Sequence, residues 1–205
     1  MMTLTREPRS DAADAITVLL LGIGAAVTVV LTVVARFLDV FRDAGVAWRI
    51  DIDDEPFSAS VGSGTGYVDG IVQTALVIAP EVDGGTAAAL AGSVVAWGIT
   101  CLAVIAAVMY VARSFLRGRF FVPATARAFD VIGWALVGGG FVVLVLENIG
   151  RNGILTALGV DEVEPLHFLD FWQWAPVWAV GVTVGLIAVA FRRGVRLQRD
   201  TEGLV

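Results

Sequence analysis

Residues 15–35 read AITVLLLGIGAAVTVVLTVVA, a stretch without a single charged residue. A helix needs about 20 consecutive apolar residues to cross a hydrocarbon core that is roughly 30 Å thick. Three further stretches meet this requirement, at about 87–112, 128–147 and 174–192. Because backbone polar groups in lipid must pair within their own segment, each stretch is expected to be helical. The sequence therefore predicts an integral membrane protein, mainly α, built as a single domain around a bundle of four transmembrane helices.

The composition agrees with this class of protein. The chain has 205 residues, of which 57% are hydrophobic and 17% are charged, and its mean hydropathy is +0.81. Soluble domains usually carry roughly 25% charged residues. All of the basic residues are Arg, with no Lys, which we attribute to a GC-rich genome and thus to a bacterial, actinobacterial source.

The distribution of arginine predicts which way the helices point. Four Arg occur in the segment 113–127 between the second and third stretches, and four more follow residue 191, whereas the segments 36–86 and 148–173 are acidic. Cytoplasmic loops of membrane proteins are enriched in Arg and Lys. We therefore expect both termini, the inner loop 113–127 and the tail 193–205 in the cytoplasm, and the protein in the plasma membrane.

The first outward segment, residues 36–86, is too long for a simple turn. Within it Trp48, Ile50 and Ile52 alternate with charged residues, which is the period of a half-buried strand. A Gly-rich stretch at 62–66 favours a turn, and residues 71–79 are suited to a returning strand. We predict a small β-rich extracytoplasmic cap between the first two helices.

Three side chains on the outward side are candidates for function: Glu147, Arg151 and His167. Glu147 lies at the edge of the third stretch, and charged residues within membranes usually mark functional pathways. An ion pair with Arg151, one helical turn further on, is the favoured interpretation, and binding of a cation or gating of a small cavity are the alternatives. His167 is the only histidine; metal binding or pH sensing is one interpretation, and a structural role at the interface is favoured.

The remaining patterns concern packing rather than chemistry. The sequence contains no motif of a known active site, phosphate-binding loop or metal site, so we predict no catalytic residue, cofactor or metal ligand. Gly181 and Gly185 form a G-xxx-G pair on the fourth stretch. Small residues at this spacing let helices in lipid approach closely. Contacts within the bundle are favoured, and a homo-oligomer is the alternative.

The cytoplasmic segments carry two motifs. Gly118-x-Phe120-Phe121 follows the second stretch, and the chain ends with Phe191-Arg-x-Gly194-x-x-Leu197-x-x-Asp200-x-x-x-Leu204-Val205. In these motifs the sequence resembles a bacterial family of four-span membrane proteins that is defined only as a domain of unknown function (family 2975). The resemblance covers most of the chain, is specific at the tail and is loose in the first outward segment.

This resemblance implies a cytosolic partner, such as a small helix-turn-helix regulator, and it implies no catalytic residues. The side chains expected to contact the partner share the inner loop and the tail: Arg117, Gly118, Arg119, Arg192, Arg193, Gly194, Arg196, Leu197, Asp200 and Leu204.

Three functions stay open at this point. The favoured one is a sensory or regulatory membrane protein that receives a signal outside and contacts a cytosolic partner inside. The second is a small transporter or channel component, which requires a water-accessible path near Glu147. The third is a membrane-embedded enzyme. Membrane lipids are expected partners in each case, and direct binding of nucleic acid is not expected.

Overall fold

A computed structural model describes residues 8–60, 67–118, 122–160 and 168–202. Its elements follow in chain order: α1 (Pro8–Val40), β1 (Phe41–Arg42), β2 (Gly45–Ser60), β3 (Tyr67–Ala79), α2 (Gly84–Leu116), α3 (Pro123–Trp134), a π-helical turn (Ala135–Gly139), α4 (Gly140–Ala157) and α5 (Phe168–Glu202). Since α3, the π-helical turn and α4 run on without interruption, we call residues 123–157 the third helix.

Within the described residues, four helices are long and apolar enough to cross a membrane: Asp14–Val40, Gly84–Leu116, Pro123–Ala157 and Phe171–Leu197. The shortest of them has 27 residues, which at a rise of 1.5 Å per residue gives a length of about 40 Å. The helices contain the four apolar stretches of the sequence and extend past them. The mainly helical fold with four such helices is therefore confirmed, and α5 continues into the segment predicted as a tail.

The predicted strands form a small antiparallel sheet in the order β1-β2-β3. Strand β2 pairs with β3 from Val46 opposite Ala79 to Ser60 opposite Tyr67. The register shifts between Asp51 and Glu55, because β2 carries extra residues there, as in a β-bulge. A sheet between the first two helices is thus confirmed, whereas the predicted turn at 62–66 lies outside the described residues.

The sheet is attached to the helices by a buried apolar cluster. Val46 and Ala79, at the base of the paired strands, pack with Leu90 of α2 and Ile154 of α4, and Leu90 and Ile154 are fully buried. Gly45 precedes this cluster with φ of 129°, a backbone conformation that favours glycine. We call this end of the bundle the sheet side, and the end where α2 and α5 finish the tail side.

Close packing of glycines brings the third helix against α5. A Cβ atom added to Gly133 of α3 would lie 3.0 Å from the backbone oxygen of Gly181 and 3.3 Å from the backbone nitrogen of Gly185. The prediction of close packing within the bundle is confirmed for Gly181, whose added Cβ would lie 2.9 Å from Val137 of the third helix, whereas an added Cβ on Gly185 would meet no atom within 4 Å. In the π-helical turn, a Cβ on Gly139 would collide with Thr100 of α2. Both α2 and α5 therefore approach the third helix closely at its glycines.

Candidate functional site

Glu147, the predicted candidate on α4, forms an ion pair with the first helix. Arg36 lies one turn before the end of α1, and its Nη2 atom is 3.6 Å from Oε1 of Glu147. The Glu147 side chain is 26% exposed and the Arg36 side chain 45%. In the described part of the chain this is the ion pair that Glu147 forms, so the predicted pairing with Arg151 is wrong. The reason is that α1 brings a second arginine to Glu147, while the Nε and Nη2 atoms of Arg151 are buried in the protein.

Trp97 of α2 adds a third helix to this contact. The Cζ atom of Arg36 lies 5.8 Å from the centre of the Trp97 ring, within the distance at which the face of an indole attracts a cation. Arg36 therefore joins α1 to both α2 and α4. It directly follows the apolar stretch 15–35, which places this junction where the apolar part of α1 ends.

Polar side chains continue along α4 beyond Glu147. Asn152 donates from its Nδ2 atom to Oδ1 of Asn148 at 3.4 Å. The Nδ2 atom of Asn148 is buried and has no hydrogen-bond partner in the ranges that the structure describes. Buried polar atoms in proteins are nearly always paired with protein or water. The amide of Asn148 is therefore a donor that a water molecule or a ligand at the sheet side would satisfy.

A cavity of about 330 Å³ opens beside Arg36, between the end of α1 and the sheet. We call it the sheet-side cavity. Its polar lining consists of Arg36, Asp39, Arg42 and Arg49, and its other walls are Val40, Ala47, Trp48 and Leu76. Within it, Arg42 donates from Nε to the backbone oxygen of Asp39 at 2.9 Å, and Nη2 of Arg42 lies 3.6 Å from the Asp39 carboxylate.

A second ion pair lies at the opposite end of the third helix. Arg192 of α5 donates from Nη1 to Oδ2 of Asp130 on α3. A cavity of about 290 Å³ lies alongside this pair and is also lined by Arg127 and Arg196; we call it the tail-side cavity. The third helix thus has an acidic side chain near each end, and each is paired with an arginine of a different helix.

The structure brings together only part of the set predicted to contact a partner. Arg192 and Arg196 share the tail-side cavity. Arg117 lies elsewhere, at the end of α2, where it lines a cavity of about 500 Å³ between α1 and α2. Gly118 follows it with φ of 68°, the left-handed conformation that often ends helices.

The rest of that set lies on α5 or outside the described residues. Arg193 and Leu197 are exposed, and Leu197 is 67% exposed, while Gly194 is half-buried on the same helix. Asp200 belongs to the last turns of α5. Three predicted residues lie outside the described ranges: Arg119, Leu204 and His167.

The start of α2 is fixed by a carboxylate at the sheet side. Oδ1 of Asp83 accepts hydrogen bonds from the backbone nitrogens of Gly85 and Thr86, at 2.7 and 3.0 Å, and the Thr86 hydroxyl donates to Oδ2. The hydrogen bond from the Thr86 side chain, followed by the one from its backbone, lowers the pKa of Asp83 below its usual value. A Cβ on Gly153 would overlap Thr86, so α4 packs directly against this cap.

Sequence reasoning missed Arg36, Arg42 and Arg49 as site residues. Their positions gave a partial signal, since Arg36 is the first charge after an apolar stretch. Nothing in the spacing indicated that β2 would bring Arg49 to the end of α1, because that contact depends on the tertiary fold.

Comparison with known proteins finds no matching family model, no matching curated protein and no matching solved structure. The resemblance described above stays a prediction, and the function is argued from the site alone.

Proposed function

We propose that this chain is an integral membrane protein of sensory or regulatory function, which passes a signal from the sheet side to a cytosolic partner at the tail side. The exposed surface of the helices supports membrane insertion. Leu20, Leu21 and Leu31 of α1 are 62%, 69% and 64% exposed. Large apolar surfaces of this kind are covered by lipid or by another protein, and each leucine that leaves water contributes roughly 1.5–3 kcal/mol.

The placement of arginine supports an orientation with the tail side in the cytoplasm. Arg113 and Arg117 lie at the end of α2, and Arg127 lies in the second turn of α3. Three more arginines lie in the last third of α5: Arg192, Arg193 and Arg196. Arginines near the ends of transmembrane helices favour the cytoplasmic side. In this orientation the sheet side faces outward and the paired residues Asp130 and Arg192 lie near the inner leaflet.

The observation that carries the proposal is the pair of contacts at the two ends of the third helix. Glu147 contacts Arg36 at the sheet side, and Asp130 contacts Arg192 at the tail side. A helix is stiff along its axis, so a change in the outer contact shifts or rotates the helix that also carries the inner one. Arg192 belongs to α5, which ends in the segment proposed to bind the partner.

The middle of the third helix supports this route. Residues 135–139 form a π-helical turn, a feature that is frequent at functional sites and that bends helices. The turn is packed against α2, since a Cβ on Gly139 would collide with Thr100. The turn lies between Asp130 and Glu147, and this packing keeps the two ends of the third helix coupled.

The partner is proposed to be a cytosolic protein with an acidic surface, such as a small helix-turn-helix regulator. The test is affinity purification from crosslinked native membranes, followed by mass spectrometry. The full chain is compared with a chain that lacks Arg196–Val205 and with an Arg113→Gln control. The control removes one arginine from the tail side but from a different cavity, the one between α1 and α2.

A cytosolic protein recovered with the full chain and with the control, but not with the truncated chain, supports the proposal and locates the contact. Equal recovery with all three chains, or recovery of lipid and the chain alone, contradicts it. Unfolding temperatures in detergent establish that the truncated chain remains folded.

A transporter or channel component is the second candidate, and the buried amide of Asn148 beside Glu147 favours it. It requires a polar path along α4. Ion or solute flux in vesicles that falls in Glu147→Gln, with partner recovery unchanged, would favour transport over regulation.

A further inference from the structure

The arginines of the first outward segment are all gathered at one place. Residues 36–86 contain three arginines, and Arg36, Arg42 and Arg49 all line the sheet-side cavity. Among the acidic residues of this segment whose side chains the structure describes, Asp39 lines the cavity. An acidic segment has thus placed its positive charge in a single concave site, which is the arrangement that attracts an anion.

The ion pairs of these arginines leave their guanidinium groups accessible to a ligand. Arg42 contacts Asp39, whose side chain is 77% exposed, so water weakens that pair. Arg36 is shared with Glu147. Arg49 is exposed on β2 and lines the same cavity. The Arg36 and Arg42 side chains are 45% and 41% exposed despite their ion pairs, so all three guanidinium groups remain open to an anion.

The shape and the walls of the cavity favour a phosphate group. Guanidinium groups bind phosphate oxygens through pairs of parallel hydrogen bonds and remain charged at all physiological pH values. The volume of about 330 Å³ is at the lower end of the range for ligand pockets, which suits one phosphate group with a small substituent. Val40, Trp48 and Leu76 form apolar walls, and such walls strengthen a charge interaction by lowering the local dielectric constant.

We infer that the sheet-side cavity is a binding site for a phosphate group, carried either by a small soluble phosphate ester or by the headgroup of an anionic lipid in the outer leaflet. Arg36 directly follows the apolar stretch 15–35, so the cavity lies where a headgroup and a soluble ligand both have access. The inference deepens the proposed function by naming the class of signal, and it rests on that proposal for its biological meaning. Binding itself needs no partner and fails or succeeds independently.

The test uses the purified full chain and two preparations. In detergent, binding of glycerol 3-phosphate is measured by isothermal titration calorimetry. In nanodiscs, the unfolding temperature is compared between neutral phosphatidylcholine and a mixture with phosphatidylglycerol. Each measurement includes Arg42→Gln, Arg49→Gln, Arg49→Lys and the control Arg113→Gln, which makes the same charge change at the tail side. Arg42, Arg49 and Arg113 are exposed, and the unfolding temperature in neutral nanodiscs checks that each variant is folded.

Loss of one guanidinium contact is expected to weaken binding by about tenfold or more. The affinity of Arg49→Lys should lie between that of Arg49→Gln and that of the unchanged chain. Binding of glycerol 3-phosphate that follows this order identifies a soluble ester as the source. Stabilisation by phosphatidylglycerol alone, lost in Arg42→Gln and Arg49→Gln but kept in Arg113→Gln, identifies a lipid headgroup. The inference is overturned if there is neither binding in detergent nor stabilisation in nanodiscs. It is also overturned if Arg113→Gln loses as much binding or stabilisation as the cavity variants.

Discussion

Replacement of Arg36 by Gln is the most direct perturbation of the sheet-side contacts. The substitution removes the cation from the ion pair with Glu147 and from the face of Trp97. It also leaves Glu147, the less exposed member of the pair, without the partner that compensates its burial. We expect Arg36→Gln to destabilise the protein more than Glu147→Gln does. The reason is that Glu147→Gln leaves Arg36 unpaired, and the Arg36 side chain is 45% exposed to water.

The magnitude follows from the distance and the exposure of the two groups. At 3.6 Å, Coulomb's law gives roughly 1 kcal/mol in a dielectric like that of water and roughly 5 kcal/mol at an effective dielectric constant of 20. Because water reaches both side chains, the coupling should lie near the lower limit, at about 1–2 kcal/mol. Arg42 and Asp39 form a matched control, since their N–O distance is also 3.6 Å but the Asp39 side chain is 77% exposed. Their coupling should be below about 0.5 kcal/mol.

The assay is a double-mutant cycle for each pair, measured by reversible unfolding in detergent at constant salt. The first cycle uses Arg36→Gln and Glu147→Gln, and the second uses Arg42→Gln and Asp39→Asn. A coupling in the first cycle that is no larger than in the second would show that α1 and α4 are not joined by this pair. A smaller effect of Arg36→Gln than of Glu147→Gln would refute the argument from burial.

Three further predictions test the packing and the helix start. Leu90→Ala should lower the free energy of unfolding by about 2–5 kcal/mol through the cavity that it leaves, whereas Leu21→Ala, at 69% exposure, should cost much less; equal losses would contradict the assignment of the core. Gly133→Ala should lower the unfolding temperature because its Cβ would lie 3.0 Å from a backbone oxygen of α5. The Cβ of Gly185→Ala would meet no atom within 4 Å, so this variant should keep the unfolding temperature of the unchanged chain. The pKa of Asp83 is lowered in the folded protein. Its carboxylate therefore stabilises the fold at pH values above the usual pKa of 3.8. This stabilisation is lost as the pH falls through the pKa of the folded state. Asp83→Ala should therefore unfold at a lower temperature at neutral pH, and the difference should shrink in acid; a difference independent of pH would argue against the capping carboxylate.

The helices and the sheet could be predicted because both depend on local patterns. Apolar length predicted the four helices, and the alternation at Trp48, Ile50 and Ile52 predicted a strand. The spacing of Gly181 and Gly185 also predicted close packing within the bundle. Each of these signals lies within a short window of the sequence, and the fold satisfies it without help from distant residues.

The contacts of the candidate site could not be predicted in the same way. Local spacing suggested Arg151 as the partner of Glu147, but the fold supplies Arg36 from a helix far away in the sequence. Among close neighbours on a helix, spacing alone cannot show that another element competes for the same charge. The sheet-side cavity likewise depends on β2 returning Arg49 to the end of α1, which is a tertiary event.

The contacts of Arg36 at the sheet side are proposed to influence the end of α5 at the tail side. The most direct measurement is hydrogen exchange, read by mass spectrometry, of backbone amides 193–202 in the full chain in nanodiscs. In neutral phosphatidylcholine nanodiscs without added phosphate ester, we expect faster exchange in Arg36→Gln than in the unchanged chain, and no change in Arg42→Gln, whose effect requires the bound phosphate group. Identical exchange of these amides in all three proteins would contradict the claim that the third helix connects the two sides.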